Sequence, residues 1–247
     1  MANLVIDIGN SSTKVAVFNN RELSCLENHD VIDRDLLTGL ISRYEISHSI
    51  ISTVNQDAGE YEEILRRYTN YKRFSVSDQS IVNVTYESPN TLGLDRLAAI
   101  IGARSCYPGR NCLVIDAGTC ITYDAVNAEG TYSGGSISPG LNMRFKAMHS
   151  FTSRLPLLSA DENFTGRQGS DTATSMISGV QNGMYWEVLG FIENYTLRYP
   201  ELQTILCGGD SKFFDTRLKS SIFAHAFKTE PHLVLIGLNE VIYQHND

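Results

Sequence analysis

The 247-residue sequence lacks the features that mark several classes of protein. Its cysteines are Cys25, Cys106, Cys112, Cys120 and Cys207. They are odd in number and form no CxxC pair, which argues against a disulfide framework or a zinc site. No two histidines are four residues apart, so a metal site on one helix face is not indicated. No run approaches the ~20 apolar residues of a membrane span, and the N-terminus does not have a signal-peptide pattern. We therefore expect a reduced, cytoplasmic protein with no membrane partner.

Excess positive charge is also missing. The chain carries 20 Lys and Arg against 28 Asp and Glu, a net charge of −8. This balance argues against a nucleic-acid partner. Apolar residues make up 42% and charged residues 19% of the chain, which is ordinary for a globular protein and does not indicate disorder.

The main positive feature is an internal repeat. Residues 4–17 and 113–126, aligned without gaps, are identical at eight of fourteen positions. The identical pairs are Leu4/Leu113, Val5/Val114, Ile6/Ile115, Asp7/Asp116, Gly9/Gly118, Thr13/Thr122, Ala16/Ala125 and Val17/Val126. One recurrence halfway along the chain predicts two related halves. The breaker cluster at 108–111 places their boundary, giving domains 1–110 and 111–247. Strand-like and helical runs alternate, which favours a mixed α/β fold.

Each copy of the repeat has an apolar run, one carboxylate and a glycine-bearing loop. The first loop has Gly9, Asn10, Ser11, Ser12 and Thr13 between Asp7 and Lys14. Small polar residues of this kind allow backbone N–H groups to surround phosphate oxygens, and Lys adds a compact positive charge. One such loop could equally be a plain polar turn. Two of them facing across a cleft would form a phosphate clamp whose carboxylates bind through a cation, so a metal-bound nucleotide is the natural ligand.

Asp95 allows two interpretations. It lies in the first turn of a predicted buried helix at 97–106, after the turn residues 88–90. Its charge could simply stabilise the helix N-terminus. Alternatively, it could be the general base that orients a substrate hydroxyl toward a phosphoryl group.

Seven short motifs then occur in an order that resembles the type III pantothenate kinases. They are Asp7-Ile-Gly-Asn-Ser-Ser-Thr-Lys14, Gly93-Leu-Asp-Arg96, Asp116-Ala-Gly-Thr119, Gly134-Gly-Ser-Ile-Ser-Pro-Gly140, Leu155-Pro156, Gly169-x-Asp-Thr172 and Gly208-Gly-Asp210. They span nearly the whole chain. The resemblance implies two duplicated actin-like (ribonuclease H-like) subdomains of the actin-like ATPase and sugar kinase superfamily, with the active site in the cleft between them.

The same resemblance implies an enzyme that phosphorylates pantothenate with ATP, the first step toward coenzyme A. ATP would bind to Asp7, Ile8, Gly9, Asn10, Ser11, Ser12, Thr13, Lys14 and Thr119. Pantothenate would bind to Tyr86, Gly93, Leu94, Asp95, Arg96 and Thr172, with Asp95 as the base and Thr172 supplied by the partner of a homodimer with a shared active site. Asp7 would help to hold Mg²⁺ or a similar divalent cation, and Asp116 would bind a monovalent cation, K⁺ or NH₄⁺.

Two residues depart from the family pattern. Cys120 stands where Ala is usual, and Tyr123 stands where a smaller aliphatic residue is common. They affect the expected shape of the second loop but remove no ligand. Two other functions remain as alternatives, a non-catalytic regulatory homologue of the kind found among transcription accessory factors, and a kinase or phosphohydrolase for another small metabolite. Retention of Asp7, Asp95 and Asp116 together favours the catalytic alternative.

Overall fold

A computed structural model describes residues 1–9, 13–53, 59–78, 81–219, 224 and 227–244. Asn10, Ser11 and Ser12 of the predicted ATP loop lie outside these residues. Among the described residues, no helix is both long and apolar enough to cross a membrane.

The described chain contains strands and helices in mixed order. The strands are β1 Ala2–Ile8, β2 Thr13–Asn19, β3 Glu22–His29, β4 His48–Thr53, β5 Asn70–Arg73, β6 Asn83–Val84, β7 Cys112–Ala117, β8 Cys120–Val126, β9 Thr131–Pro139, β10 Gln203–Cys207 and β11 Phe227–Thr229. The helices are α1 Arg34–Tyr44, α2 Gly59–Tyr68, α3 Leu94–Cys106, α4 Leu141–Ser150, α5 Thr172–Arg198, α6 Ser211–Leu218 and α7 Leu233–Gln244.

The chain divides into two compact units. Unit 1 comprises Met1–Gly109, Gly130–Ser133 and His232–Asp247, and unit 2 comprises Arg110–Glu129 and Gly134–Pro231. These units differ from the domains 1–110 and 111–247 in two segments, because 130–133 and the C-terminal helix α7 belong to unit 1. The division near residue 110 stays a prediction about domains.

Unit 1 contains a five-stranded sheet in the order β3-β2-β1-β4-β5. Strand β1 pairs antiparallel with β2 and parallel with β4. One face of this sheet is apolar because Leu4 and Ile6 of β1 and Val15 and Val17 of β2 point to the same side. Helix α1, whose N-cap Asp33 accepts a hydrogen bond from the Leu36 amide, packs on that side.

The second sheet repeats this topology. Its order is β11-β10-β7-β8-β9-β6, with β7 antiparallel to β8 and parallel to β10. If β6 is set aside, β9-β8-β7-β10-β11 matches β3-β2-β1-β4-β5 strand for strand. The edge strand β6 pairs with Thr131 and Tyr132, at the start of β9. The predicted mixed α/β fold with two duplicated subdomains is confirmed.

The gapless alignment of the two hairpins is wrong on the second strand. In the first hairpin Asp7 lies opposite Lys14, whereas in the second Asp116 lies opposite Thr122, the residue aligned with Thr13. The loop between paired strand ends is therefore one residue shorter in the second hairpin. Thr13 and Thr122 consequently face opposite sides of their sheets, because successive strand residues alternate sides. Only the five identities on β1 and in its loop are structurally equivalent.

Helix α3 is held close to α7 by two glycines. A Cβ atom on Gly102 would overlap the Leu233 carbonyl oxygen, and one on Gly237 would overlap the Ala98 carbonyl oxygen. The two backbones therefore meet at a distance that no larger residue permits. This contact fixes the position of α3. The first turn of α3 carries Asp95, as the sequence predicted.

Candidate active site

Asp7 lies near the C-terminal end of β1, between charged and polar neighbours. It is half-buried, opposite Lys14 on β2 and beside Ser52 on β4. The pKa of Asp7 is raised to about 6, chiefly by burial and in part by the charge of Asp95. The charge of Lys14 and a hydrogen bond from Ser52 lower the pKa, but by less. Asp7 and Asp95 are therefore close enough to influence each other, and both belong to unit 1.

Asp95 is exposed in the first turn of α3, after the N-cap residue Gly93. Its Oδ1 atom accepts the Arg96 backbone N–H at 2.8 Å. A Cβ atom on Gly93 would lie only 2.5 Å from this oxygen, so the carboxylate occupies space that a side chain at residue 93 would take. The sequence of the Gly93-Leu-Asp-Arg96 motif thus places a carboxylate at an open helix N-terminus.

Aromatic and cationic groups lie next to this turn. Arg96 is buried, with its guanidinium carbon 5.9 Å from the centre of the Tyr86 ring. Tyr86 in turn stacks on buried Tyr132, with ring centres 6.4 Å apart and planes 1° from parallel. Tyr86 and buried Arg96 therefore pack beside the helix turn that carries the Asp95 carboxylate.

The second loop, residues 117–120 in unit 2, is fixed from two directions. Gly208 has φ +87°, and a Cβ atom there would overlap the Asp116 carboxylate and the Ala117 carbonyl oxygen. The Asp210 amide donates to that same carbonyl at 2.8 Å. On the other side, the Gly140 amide donates to the Thr119 carbonyl oxygen at 3.1 Å. The Gly208-Gly-Asp210 and Pro139-Gly140 motifs thus support the loop that carries exposed Thr119.

Thr172 is the first residue of α5 and is exposed in unit 2. Asp171 and Thr174 form a capping box that fixes this helix start. Thr172 borders a cavity of about 560 Å³ whose walls include Met148, Leu155 and Met176. The helix start therefore presents a hydroxyl group beside a cavity of mixed lining, to which Ser170, Asp171 and Ser175 add polar groups.

The predicted site residues thus fall into three groups. Asp7, Ile8, Gly9, Thr13, Lys14, Tyr86, Gly93, Leu94, Asp95 and Arg96 are in unit 1, where Asp7, Lys14 and Asp95 lie near one another. Asp116 and Thr119 form a second group and Thr172 a third, both in unit 2.

The sequence patterns do not identify two neighbours of the site, Ser52 and Tyr132. Ser52 lies beside Asp7 through the register of β4 with β1, which no local pattern gives. Tyr132 stands in a glycine-rich stretch that gives no local signal either.

The described residues include no cluster of three His, Cys, Asp or Glu side chains that would hold a metal alone. The Asp7 carboxylate still provides hard oxygen ligands. Mg²⁺ commonly uses one or two carboxylates and takes its other ligands from phosphates and water. Asp7 therefore fits a divalent cation that arrives with a phosphate ligand.

Comparison with known proteins assigns the chain to a family. The sequence model of the type III pantothenate kinases matches residues 3–198. A type III pantothenate kinase of Phocaeicola vulgatus is 44% identical over 250 residues, covering 99% of each chain. Among solved structures, a Campylobacter jejuni protein assigned to the Baf family of transcriptional activators superposes with a TM-score of 0.63 at 21% identity, covering 98% of each chain.

A second solved structure is an activator of 2-hydroxyisocaproyl-CoA dehydratase from Clostridium difficile, with bound ADPNP. It has a TM-score of 0.57 at 12% identity, covering 100% of this chain and 97% of its own. At such low identity these two structures support the fold alone, whereas the full-length sequence match is specific. The chain belongs to the type III pantothenate kinase family.

Proposed function

We propose that this protein is a kinase that transfers the γ-phosphoryl group of ATP to the primary hydroxyl of pantothenate, giving 4′-phosphopantothenate in the first step of coenzyme A biosynthesis. Family membership over 196 residues or more supports the reaction. The observation that carries the mechanism is the pair of neighbouring carboxylates, Asp7 at the end of β1 and Asp95 at the start of α3.

Asp7 and Lys14 form the phosphate-binding end of the site. Lys14 lies opposite Asp7 and supplies a positive charge for the ATP phosphates. Asp7 helps to hold a divalent cation, which neutralises charge on the transferring phosphoryl group when it is bound. Thr119 contacts the nucleotide from the second loop.

Asp95 accepts the proton of the pantothenate hydroxyl. It is exposed in the first turn of α3, so substrate can reach it. Phosphoryl transfer depends mainly on positioning and electrostatics, so a weak base at the correct place is sufficient. Tyr86, Leu94 and Arg96 line the pantothenate pocket together with Gly93, which leaves room for the carboxylate.

Asp116 binds the monovalent cation, K⁺ or NH₄⁺. Its carboxylate is held against Gly208, and the residue opposite it is neutral Thr122 where the first hairpin has Lys14. A cation held by Asp116 would supply the positive charge that Lys14 supplies beside Asp7 in the first hairpin. Potassium dependence of the rate, measured with Na⁺ as the control ion, tests this assignment, and equal rates in both ions would refute it.

The enzyme functions as a homodimer in which Thr172 reaches the pantothenate site of the partner. One face of α5 supports this arrangement. Gly179, Gly183 and Gly190 on that face have open space where a Cβ would point, and Trp186 and Leu197 are 60% and 84% exposed. Successive members are four, three, four and seven residues apart, which keeps them on one face of the helix. Glycine gaps and large apolar side chains on one surface are self-complementary, as a two-fold interface requires.

Sedimentation of the protein with Trp186→Arg tests the dimer. We expect dissociation to monomers and loss of kinase activity, while Leu23→Arg, an exposed apolar residue of β3, should leave both unchanged. A monomeric wild-type protein would contradict the shared site.

The kinase assay uses ATP, Mg²⁺, K⁺ and labelled pantothenate, with product identified as phosphopantothenate. The protein with Asp95→Asn is the control for contaminating kinases. Absence of product at saturating ATP would contradict the proposed reaction. A panel of small hydroxylated metabolites, tested for shifts of the melting temperature with nucleotide present, would then identify another substrate. We also propose a cytoplasmic location, in which the thiols of the five cysteines would stay reduced.

A further inference from the structure

A polar network crosses unit 2 beside the second loop. It consists of Tyr123 on β8, Ser138 on β9, Arg144 on α4 and Glu187 on α5, and we call it the Arg144 network. Arg144 Nη2 donates to Glu187 Oε2 at 2.6 Å and to Ser138 Oγ at 2.7 Å. The Tyr123 hydroxyl donates to the other oxygen, Glu187 Oε1, at 2.8 Å. The network therefore ties two helices and two strands together.

The network contacts the second loop at the Pro139–Gly140 corner of the chain. Arg144 Nε donates to the Pro139 carbonyl oxygen at 2.8 Å, immediately before Gly140. Gly140 is buried and in direct contact with the second loop, because a Cβ atom on it would overlap the carbonyl oxygens of Gly118 and Thr119. A shift of the Pro139–Gly140 corner must therefore move Thr119 or break its hydrogen bond with the Gly140 amide.

The charges in the network are balanced. Burial opposes ionisation of Glu187, but hydrogen bonds from Arg144, Ser138 and Tyr123 outweigh it and hold the Glu187 pKa below its usual value. Burial and the bond to Glu187 raise the pKa of Tyr123, so its hydroxyl stays a donor. A half-buried ion pair of this kind adds little net stability over apolar side chains of the same size, but it fixes the relative position of its partners.

The Tyr123 ring reinforces this geometry from the other side. It stacks on Phe191 of α5 with ring centres 3.7 Å apart, one turn of helix beyond Glu187. Tyr123 thus meets α5 through both its ring and its hydroxyl. A smaller aliphatic residue at position 123 would supply neither contact.

We infer that Arg144 and Glu187 are positioning residues that hold Thr119 in place for ATP binding, with Tyr123 as their anchor on β8. This inference depends on the proposed kinase function, in which Thr119 contacts the nucleotide. Neither residue touches substrate. Their effect passes through Pro139 and Gly140 to the loop.

The protein with Arg144→Gln tests this inference. Binding of a non-hydrolysable ATP analogue is measured by calorimetry, and KM for ATP and for pantothenate by steady-state assay. We expect affinity for the analogue to fall about tenfold and KM for ATP to rise equally, since displacing a binding group by a fraction of an ångström has effects of this size or larger. KM for pantothenate should change less than about twofold. Tyr86, Leu94 and Arg96 of that pocket are in unit 1, and Thr172 lies 15 residues before Glu187, at the far end of α5.

Two further variants separate positioning from stability. Arg66→Gln removes an Arg–Glu ion pair in unit 1 and should leave both KM values unchanged. Tyr123→Phe keeps the stack on Phe191 but removes the hydroxyl donor, so it should weaken analogue binding by a smaller factor, even if Arg144→Gln does not fold. A double variant with Arg144→Gln and Glu187→Gln should bind no more weakly than the worse single variant, because the pair acts as a unit.

The outcomes are distinct. A lowered melting temperature with unchanged analogue affinity would overturn the inference and assign the network a structural role only. Equal rises in both KM values would also overturn it. If the wild-type protein binds no nucleotide, the proposed function fails and the inference fails with it. If the wild type binds and the variants bind equally well, only the inference fails.

Discussion

Asp7→Asn is expected to raise the free energy of unfolding at pH 8 while it removes kinase activity. The pKa of Asp7 is raised from 3.8 to about 6, chiefly because burial disfavours its charge. The charge of Asp95 acts in the same direction, and Lys14 and Ser52 only partly offset both. At neutral pH the folded protein therefore carries a negative charge on Asp7 that destabilises it. A bound divalent cation would offset this charge.

The sign and size follow from linkage. Because the folded pKa lies above the unfolded value, the stability that comes from protonated Asp7 is complete below about pH 4 and is lost as the pH rises through 6. A shift of about two pKa units at ~1.4 kcal/mol per unit gives an upper limit of ~3 kcal/mol. Asparagine has nearly the same shape and carries no charge at any pH. The gain in free energy of unfolding from Asp7→Asn should thus be near zero at pH 4 and approach this limit at pH 8.

Urea unfolding at both pH values, without nucleotide or Mg²⁺, measures the difference between wild type and variant. Asp30→Asn, which removes an exposed carboxylate of unit 1, is the matched control and should show no such pH-dependent gain. Addition of Mg²⁺ with ADP should stabilise the wild type more than the variant. An equal gain at pH 4 and pH 8, or a loss at pH 8, would show that the charge of Asp7 is not buried as described.

Three further changes test the site. Asp95→Asn should lower kcat by ~10²-fold or more while calorimetry shows nucleotide affinity nearly unchanged, and an equal loss of affinity would make Asp95 structural. Gly93→Ala should lower kcat by about tenfold with little change in urea midpoint, because φ −60° and ψ 130° suit alanine but its Cβ displaces the Asp95 carboxylate. A normal rate would contradict this contact. Gly208→Ala should lower the free energy of unfolding by ~2 kcal/mol, since φ +87° and the overlap with Asp116 and Ala117 both oppose a side chain. An unchanged midpoint would contradict it.

Elements with strong local signals were predicted closely. The residue patterns at 33–44 and 59–68 predict helices, and the structure has helices at Arg34–Tyr44 and Gly59–Tyr68. Leu94–Cys106 includes Asp95 in its first turn, as expected. The turn residues at 130–135 and 139–140 predict a short strand between them. A strand is present there, but it is longer than predicted, because β9 runs from Thr131 to Pro139 through Gly134 and Gly135. Position 135 of this strand must be glycine, because a side chain there would overlap the Tyr123 carbonyl oxygen. Only the folded sheet creates this contact.

Prediction of the candidate site from sequence has the same limit, because contacts between distant strands leave no local pattern. Asp7, Asp95 and Asp116 stood out because each ends or begins an element with a clear pattern. Ser52 was not predicted because its place beside Asp7 depends on the register of two parallel strands. The one-residue difference between the hairpins was also invisible, because chance identities on β8 made a gapless alignment look correct.

Helix α7 contacts both elements that carry the carboxylates of unit 1, namely β1 with Asp7 and α3 with Asp95. It packs against α3 through Gly102 and Gly237, where the backbones are too close for larger residues. On β1, the Asn3 side chain donates to Asn239 Oδ1 at 2.9 Å, and both side chains are buried. Buried amide pairs are directional and costly to break, so they fix β1 relative to α7 as firmly as the glycines fix α3. The spacing between Asp7 and Asp95 is thus set by a helix that lies beyond residues 3–198, and the proposed kinase geometry depends on the C-terminal segment although no predicted site residue lies there.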